Sequence, residues 1–363
     1  MDDEEELYRQ TQLVTYLGNK RKLLPFIGRG IEIVQKRLGR QKLSCFDAFA
    51  GSGVVSRLMK SVASTLYSND LEEYATVLGR CYLANRSEVP ELGELHAELM
   101  RTIRQQWAPG FIAELYAPQD DDKIRPGERA FYTRRNAVFL DTARRAIGEL
   151  PEELRPFFLA PLLCEASVHT NTGGVFKGFY KNSRGIGQFG GRGRQALARI
   201  LGEIELPLPV FSRYECPCTV LQGDAAAVAH TLPELDMAYL DPPYNQHPYG
   251  SNYFMLNLLT SYKRPETISA VSGIPAQWNR SDYNSQARVC ETFSELLSAL
   301  KCPFALLSYN SEGLLSMEEI TRLAQPNWKV LTLEQDYAAY RASRNLNSRS
   351  LTVKEYLFLL ERK

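Results

Sequence analysis

Leu43-Ser44-Cys45-Phe46-Asp47-Ala48-Phe49-Ala50-Gly51-Ser52-Gly53 is the stretch whose reading decides the fold. Leu43 to Phe49 reads as a strand, and Phe49-Ala50-Gly51-Ser52-Gly53 as a turn into a helix from Val54 to Val62. A glycine turn between strand and helix lets a ligand approach the backbone and use the helix N-terminal donors. This one lacks the third glycine of the dinucleotide fingerprint. The next strand, Thr65 to Ser68, ends at Asn69-Asp70. That acid lies about 20 residues on, where a carboxylate can accept both hydroxyls of a ribose. Strand, turn, helix, strand and acid in this order predict an α/β sheet domain.

Upstream, Thr15-Tyr16-Leu17-Gly18-Asn19-Lys20-Arg21 is a basic lead-in to a helix. Leu24, Ile27, Ile31, Val34 and Leu38 fall at helical spacing, with Pro25 near its start and Gly39 at its stop. Downstream, from about Glu88 to Ser212, strand–helix alternation disappears. Leu92, Leu95, Leu99 and Ile103 mark an amphipathic helix, Glu128 to Leu150 a second, and Phe157 to Val168 a buried third. Within this helical insertion, Gly173 to Arg194 carries eight glycines, Lys177, Lys181, Arg184, Arg192, Arg194 and the aromatics Phe176, Phe179, Tyr180 and Phe189. It contains no acid. Cations and aromatic faces on a glycine-rich backbone suit phosphate contacts and base stacking.

Strand character resumes at Cys218 to Leu221, followed by Gln222-Gly223-Asp224. Met237-Ala238-Tyr239-Leu240 then reads as a buried strand end running into Asp241-Pro242-Pro243-Tyr244. Two prolines remove two N–H donors, so this loop offers acceptors only, the Asp241 carboxylate and nearby carbonyls, beside a flat ring. A rigid acceptor pair next to an aromatic face suits a planar ring bearing an amino group, such as a nucleobase. Later, Ser272 to Ser285 is a polar aromatic loop without clear periodicity. Phe304 to Tyr309 reads as a strand ending in Asn310-Ser311-Glu312-Gly313, and Ser316 with Glu319 forms a capping box. Val330 to Leu333 and Leu351 to Leu360 look like the last strands. Between them the loop around Arg341, Arg344 and Arg349 is basic and free of acids.

Composition is that of a globular protein, 44% apolar and 23% charged, with formal net charge +1. Any nucleic-acid surface must therefore come from uneven placement of charge. The acidic start, Met1 to Glu6, is unlike a signal peptide, and no apolar run reaches membrane-spanning length. Seven cysteines without a C-x-x-C pair, and Cys216-Pro217-Cys218 too tight for usual zinc spacing, predict reduced thiols and no metal.

The order Gly-x-Lys loop, FxGxG, Asp70, helical insertion, GDA, DPPY and YNSEG resembles that of the Dam-like, alpha-order DNA N6-adenine methyltransferases. Asp241 to Asn252, Tyr309 to Gly313 and Arg344-Asn345-Leu346 are most similar to the FokI modification methylase type. The resemblance covers most of the chain and is thin from Glu88 to Arg125. It implies an α/β fold, a Rossmann-like S-adenosylmethionine-dependent methyltransferase sheet with a late antiparallel strand and a mainly helical target-recognition insertion facing DNA. Residues 1–87 and 213–363 are then the two parts of the catalytic domain, and 88–212 the insertion. It also implies S-adenosylmethionine at Tyr16, Gly18, Lys20, Phe49, Gly51, Gly53, Asp70, Asp224 and Asp241, with catalysis by Asp241, Pro242, Pro243 and Tyr244.

The expected partner is double-stranded DNA, contacted through Lys177, Lys181, Arg184, Arg192, Arg194, Arg341, Arg344 and Arg349. A cognate restriction endonuclease, a monomeric state and a cytoplasmic location without membrane contact complete the expectation. Three alternatives stay open at this point. DPPY also serves RNA adenine-N6 methyltransferases. Cytosine-N4 methyltransferases of DNA more usually carry a serine in place of Asp241. A catalytically silent DNA-recognition subunit is the third, and the intact motif set argues against it.

Overall fold

The computed structural model describes residues 3–338 and 352–363. Seven strands form one sheet: β1 Leu43–Asp47, β2 Ala63–Asp70, β3 Cys218–Gln222, β4 Met237–Leu240, β5 Phe304–Asn310, β6 Trp328–Ala338 and β7 Thr352–Arg362. Their order is β3-β2-β1-β4-β5-β7-β6. Strands β1 to β5 pair in parallel, while β7 runs antiparallel between β5 and β6. β1 pairs with β2 on one side and with β4 on the other, so the strand order reverses there. In open α/β sheets that reversal leaves a crevice at the carboxyl ends of the two strands. Here those ends carry the glycine turn and the Asp-Pro-Pro-Tyr loop, far apart in the chain but neighbours in the sheet.

Period-two alternation explains why helices cover both faces. Cys45, Leu306, Leu357 and Leu359 join one apolar cluster with Ile27, Ile31 and Val34 of the helix Leu24–Leu38. Phe46, Ala305, Leu307, Phe358 and Leu360 join another, with Phe293 and Leu296 of the helix Val289–Ala299. Every residue of β5 is buried, as a strand covered on both faces requires. The helix Leu24–Leu38 ends at Gly39 with φ 64°, and Ser316 and Glu319 form the capping box expected from the sequence.

The insertion contributes helices at Gly93–Gln105, Phe111–Tyr116, Arg134–Gly148 and Arg155–Val168, plus a short helix at Leu197–Leu201. It shares one core with the sheet's own helices. Leu99, Phe131, Phe139 and Phe158 pack in the same cluster as Tyr74, Leu78, Phe254 and Leu258.

Several boundaries differ from the sequence reading. The helix expected over Glu128 to Leu150 begins at Arg134, because the Thr133 side chain accepts the Asn136 N–H and caps it there. Arg129 consequently sits in a loop, donating to the Ser269 and Ala270 carbonyls. β2 extends through Asn69-Asp70, so that acid closes the strand instead of following it. No helix among the described residues is long and apolar enough to cross a membrane, and no group of three potential metal ligands occurs among them.

Candidate active site

The glycine turn is held open from below. Gly51 and Gly53 adopt φ of 52° and 76°, values that a side chain disfavours. Asp70 accepts the Gly51 N–H at 2.7 Å and the Glu72 N–H at 2.9 Å, one on each carboxylate oxygen. Asn69 donates to the carbonyls of Ala48 and Gly223, both at 3.1 Å, tying together the ends of β1, β2 and β3. Asp224 caps the helix Ala225–Thr231 by accepting from Ala226 and Ala227. Behind the turn, Asp47 is fully buried, and desolvation pushes its carboxyl up to about 7.

A single cleft runs along this edge. Tyr16, Gly18, Lys20, Phe49, Gly51, Asp70, Asp224, Asp241 and Pro243 all line it. Of the remaining expected residues, Gly53 is the N-cap of the helix Val54–Lys60 and Pro242 is buried. Neither lines the cleft. Tyr244 stands at its margin, packed against Gly18 and 6.0 Å edge-on from Tyr309. The loop is tied to the Tyr309–Gly313 segment, since Leu314 N–H donates to the Tyr244 carbonyl at 2.9 Å. Gly313 must be glycine, because an added Cβ would lie 2.1 Å from the Tyr309 ring.

Lys20 brings a cation in among the carboxylates of the cleft wall. Its ammonium is buried, 3.1 Å from Asp241 Oδ1, 3.9 Å from Glu355 Oε2 and 5.3 Å from the centre of the Tyr244 ring. Desolvation raises Asp241 above the ordinary carboxylate range, with Lys20 pulling the other way. Tyr16 stacks on Tyr253 and Tyr249 at 4.6 and 5.0 Å and accepts a hydrogen bond from the Tyr74 hydroxyl.

Several site residues were not anticipated. Glu72 is buried in the cleft wall, accepting from Asn257 at 2.6 Å and Asn279 at 3.2 Å, and burial pushes it up to about 7. The loop read only as polar and aromatic places Asn279, Ser281, Tyr283 and Asn284 in the lining of the same cleft, with Tyr283 edge-on to Phe49 at 5.1 Å. Glu355 carried no signal, sitting in an otherwise ordinary strand. For Glu72, the doubled acid after Leu71 was the one available hint.

The insertion loop is more built than its glycines suggest. Buried Asn171 accepts from Gly190 and donates to Ala130, while Tyr180 and Gln188 pair across the loop. Phe176 is buried in the core and Phe179 packs edge-on against Phe131 at 5.1 Å. Phe176 is therefore engaged inside the protein and not available for stacking on bases, which corrects the sequence reading for that ring, whereas Phe179 is only half-buried. Lys181 lies over the Phe179 ring, Lys177 Nζ approaches His247 Nδ1 at 3.5 Å, and Arg184, Arg192 and Arg194 are exposed. Arg341, Arg344 and Arg349 lie outside the described residues.

A parallel sheet with one antiparallel strand, a glycine turn and an acid-Pro-Pro-Tyr loop meeting at its switch point define an α/β methyltransferase. Residues 16–186 and 217–323 match the family of D12 class N6 adenine-specific DNA methyltransferases, and the chain belongs to that family. It is 29% identical over 357 residues to the type II methyltransferase M.NlaIII of Neisseria lactamica, covering 96% of this chain and 99% of that protein. The type II methyltransferase M.CviAII of Paramecium bursaria Chlorella virus 1 is 27% identical, with 96% and 98% covered. Against M.FokI of Planomicrobium okeanokoites, identity is 24%, and 96% of this chain matches 52% of that longer protein. The chain is an adenine-specific DNA methyltransferase, and the cytosine, RNA and silent-subunit alternatives fall away.

Proposed function

We propose that this enzyme uses S-adenosylmethionine to methylate N6 of one adenine within a specific duplex sequence, with that adenine flipped out of the helix. The observation that carries the reading is the opening of the Gly51 turn and the Asp241 carboxylate into one cleft at adjoining strand ends. The donor set suits the cofactor. Asp70, Glu72, Asp224 and Asp241 surround the cleft, acceptors for a cationic ligand rich in hydroxyl and amino donors. When bound, the cofactor supplies an electrophilic methyl group on a sulfonium, so no nucleophilic side chain or metal is called for.

What the chain supplies is placement. Gly51 and its neighbours offer backbone at the turn, Asp70 and Glu72 accept hydroxyl protons, and Tyr16 and Phe49 give apolar surface. Asp241 and the Pro242 carbonyl accept the two hydrogens of the adenine amino group, localising its lone pair toward the methyl. Tyr244 stacks on the flipped base, offsetting with about 1–3 kcal/mol the few kcal/mol that unstacking costs. His247 contributes no chemistry; its Nδ1 lies 3.5 Å from Lys177 Nζ of the insertion loop. Lys177, Lys181, Arg184, Arg192 and Arg194, and Arg341, Arg344 and Arg349 from the later loop, contact the duplex. The protein acts as a monomer in the cytoplasm, beside a restriction endonuclease of the same specificity.

The test is to express the gene in a methylation-deficient host and map modified bases across its DNA. N6-methyladenine at one short sequence is expected. Modification of cytosine, or of RNA alone, would reject the reading.

A further inference from the structure

Lys20 faces more negative charge than its burial explains. One carboxylate at 3.1 Å, Asp241, is sufficient to neutralise the ammonium. The fold nevertheless brings a second, Glu355, to 3.9 Å, with both Lys20 and Glu355 almost fully buried. Glu355 continues the Leu357–Leu359 face of β7, a face otherwise packed in apolar core, and its Oε2 has no hydrogen-bond partner among the described residues. Burying a surplus carboxylate with so few partners costs stability. A fold that retains such a group gains something other than stability from it.

We propose that Glu355 is a positioning residue, holding the Lys20 ammonium and offsetting its charge so that Asp241 keeps a net negative field toward the target amino group. The proposal rests on the adenine-methylation reading above. On methylation the adenine nitrogen gives its lone pair to the incoming methyl carbon as the carbon–sulfur bond breaks and its electron pair stays on sulfur, leaving a neutral thioether. The nitrogen carries positive charge until one of its protons leaves to solvent. A lone Lys20–Asp241 pair presents no net charge to that nitrogen, and its cation repels it. With Glu355 ionised, the three groups carry one net negative charge, which favours the developing cation. Lys20 meanwhile fixes the rotamer of Asp241.

The experiment is a double-mutant cycle on single-turnover methylation of target duplex, with E355Q, K20M and K20M/E355Q. E355Q is expected to lower the rate constant by ten- to a hundredfold, with a melting temperature at least as high as native and S-adenosylmethionine affinity by calorimetry unchanged. E355D, keeping the charge on a shorter arm, should fall between E355Q and native. In the K20M background E355Q should cost nothing, because there is no ammonium left to offset. An E355Q rate equal to native overturns the proposal, and so does an equal loss in both backgrounds. If E355Q alone does not fold, the comparison of K20M with K20M/E355Q decides, a slower double variant overturning it. Absence of adenine methylation by the native enzyme marks failure of the underlying reading instead.

Discussion

The Tyr244 hydroxyl occupies the space a side chain would need at Gly18: a Cβ built there lies 2.6 Å from that oxygen. The N-terminal Gly-x-Lys loop and the Asp-Pro-Pro-Tyr loop are thus packed face to face, and Gly18 also holds φ 72°. Gly18→Ala should displace the Tyr244 ring and lower single-turnover methylation by at least about tenfold, about 1.4 kcal/mol in barrier. An unchanged rate would show that the position of Tyr244 does not matter.

Asp241→Ala removes the acceptor expected to orient the amino group. Removing one such hydrogen bond costs on the order of 100- to 1000-fold in rate. DNA affinity, measured by gel shift or anisotropy, should survive. Single-turnover methylation at the native rate would remove Asp241 from the mechanism.

At Gly51, φ 52° and a Tyr16 ring carbon 3.0 Å from an added Cβ leave no room for a branched side chain. Gly51→Val is expected to strain the turn by about 1–2 kcal/mol and to push Tyr16 into the cleft. Calorimetry should then show cofactor affinity reduced by more than about tenfold, or about 1.4 kcal/mol. Retained affinity in a folded variant would place the cofactor elsewhere.

Glu72 sets a pH dependence whose sign is fixed by its environment. Burial raises its folded-state value to about 7, above that of the unfolded chain. Its contribution to stability is therefore fully present below the ordinary carboxylate range and is lost as pH rises through about 7. Glu72→Gln stays neutral, so its stability should fall less than native between about pH 5 and about pH 8 in urea titrations. Cofactor affinity should move oppositely in the native enzyme, rising as Glu72 ionises, and should be flatter in the variant. Parallel curves for the two proteins would exclude Glu72 as the titrating group.

Arg184, Arg192 and Arg194 are, with Lys177, exposed cations of the insertion loop. Where one of them pairs with a DNA phosphate, its alanine variant should show a salt slope of binding reduced by about 0.9. The measurement is affinity for target and scrambled duplexes across a salt series. A residue whose replacement relaxes discrimination at one base pair, at a cost of about 1–3 kcal/mol, reads a base instead. If all three variants bind with native slope and discrimination, this loop does not face DNA.

Local chemistry made much of this enzyme readable from its sequence. A glycine turn after an apolar run, an acid closing the next strand and two prolines after a third strand are each dictated by backbone geometry over a few residues, so Gly51, Asp70 and Asp241 stood out at once. The Ser316–Glu319 cap and the Gly39 stop were legible for the same reason. Tertiary structure alone decided which of these share a wall and what surrounds them. Glu355 and Lys20 lie near opposite ends of the chain and meet because β7 inserts antiparallel beside β5, a pairing no local pattern encodes. Glu72 acquires its raised pKa from burial, which outweighs the opposing hydrogen bonds from Asn257 and Asn279, residues that arrive from two other segments. The ring of Phe176 looked free to stack on bases because sequence reports the presence of an aromatic, whereas long-range packing against Phe131 and Phe254 buries it in the core.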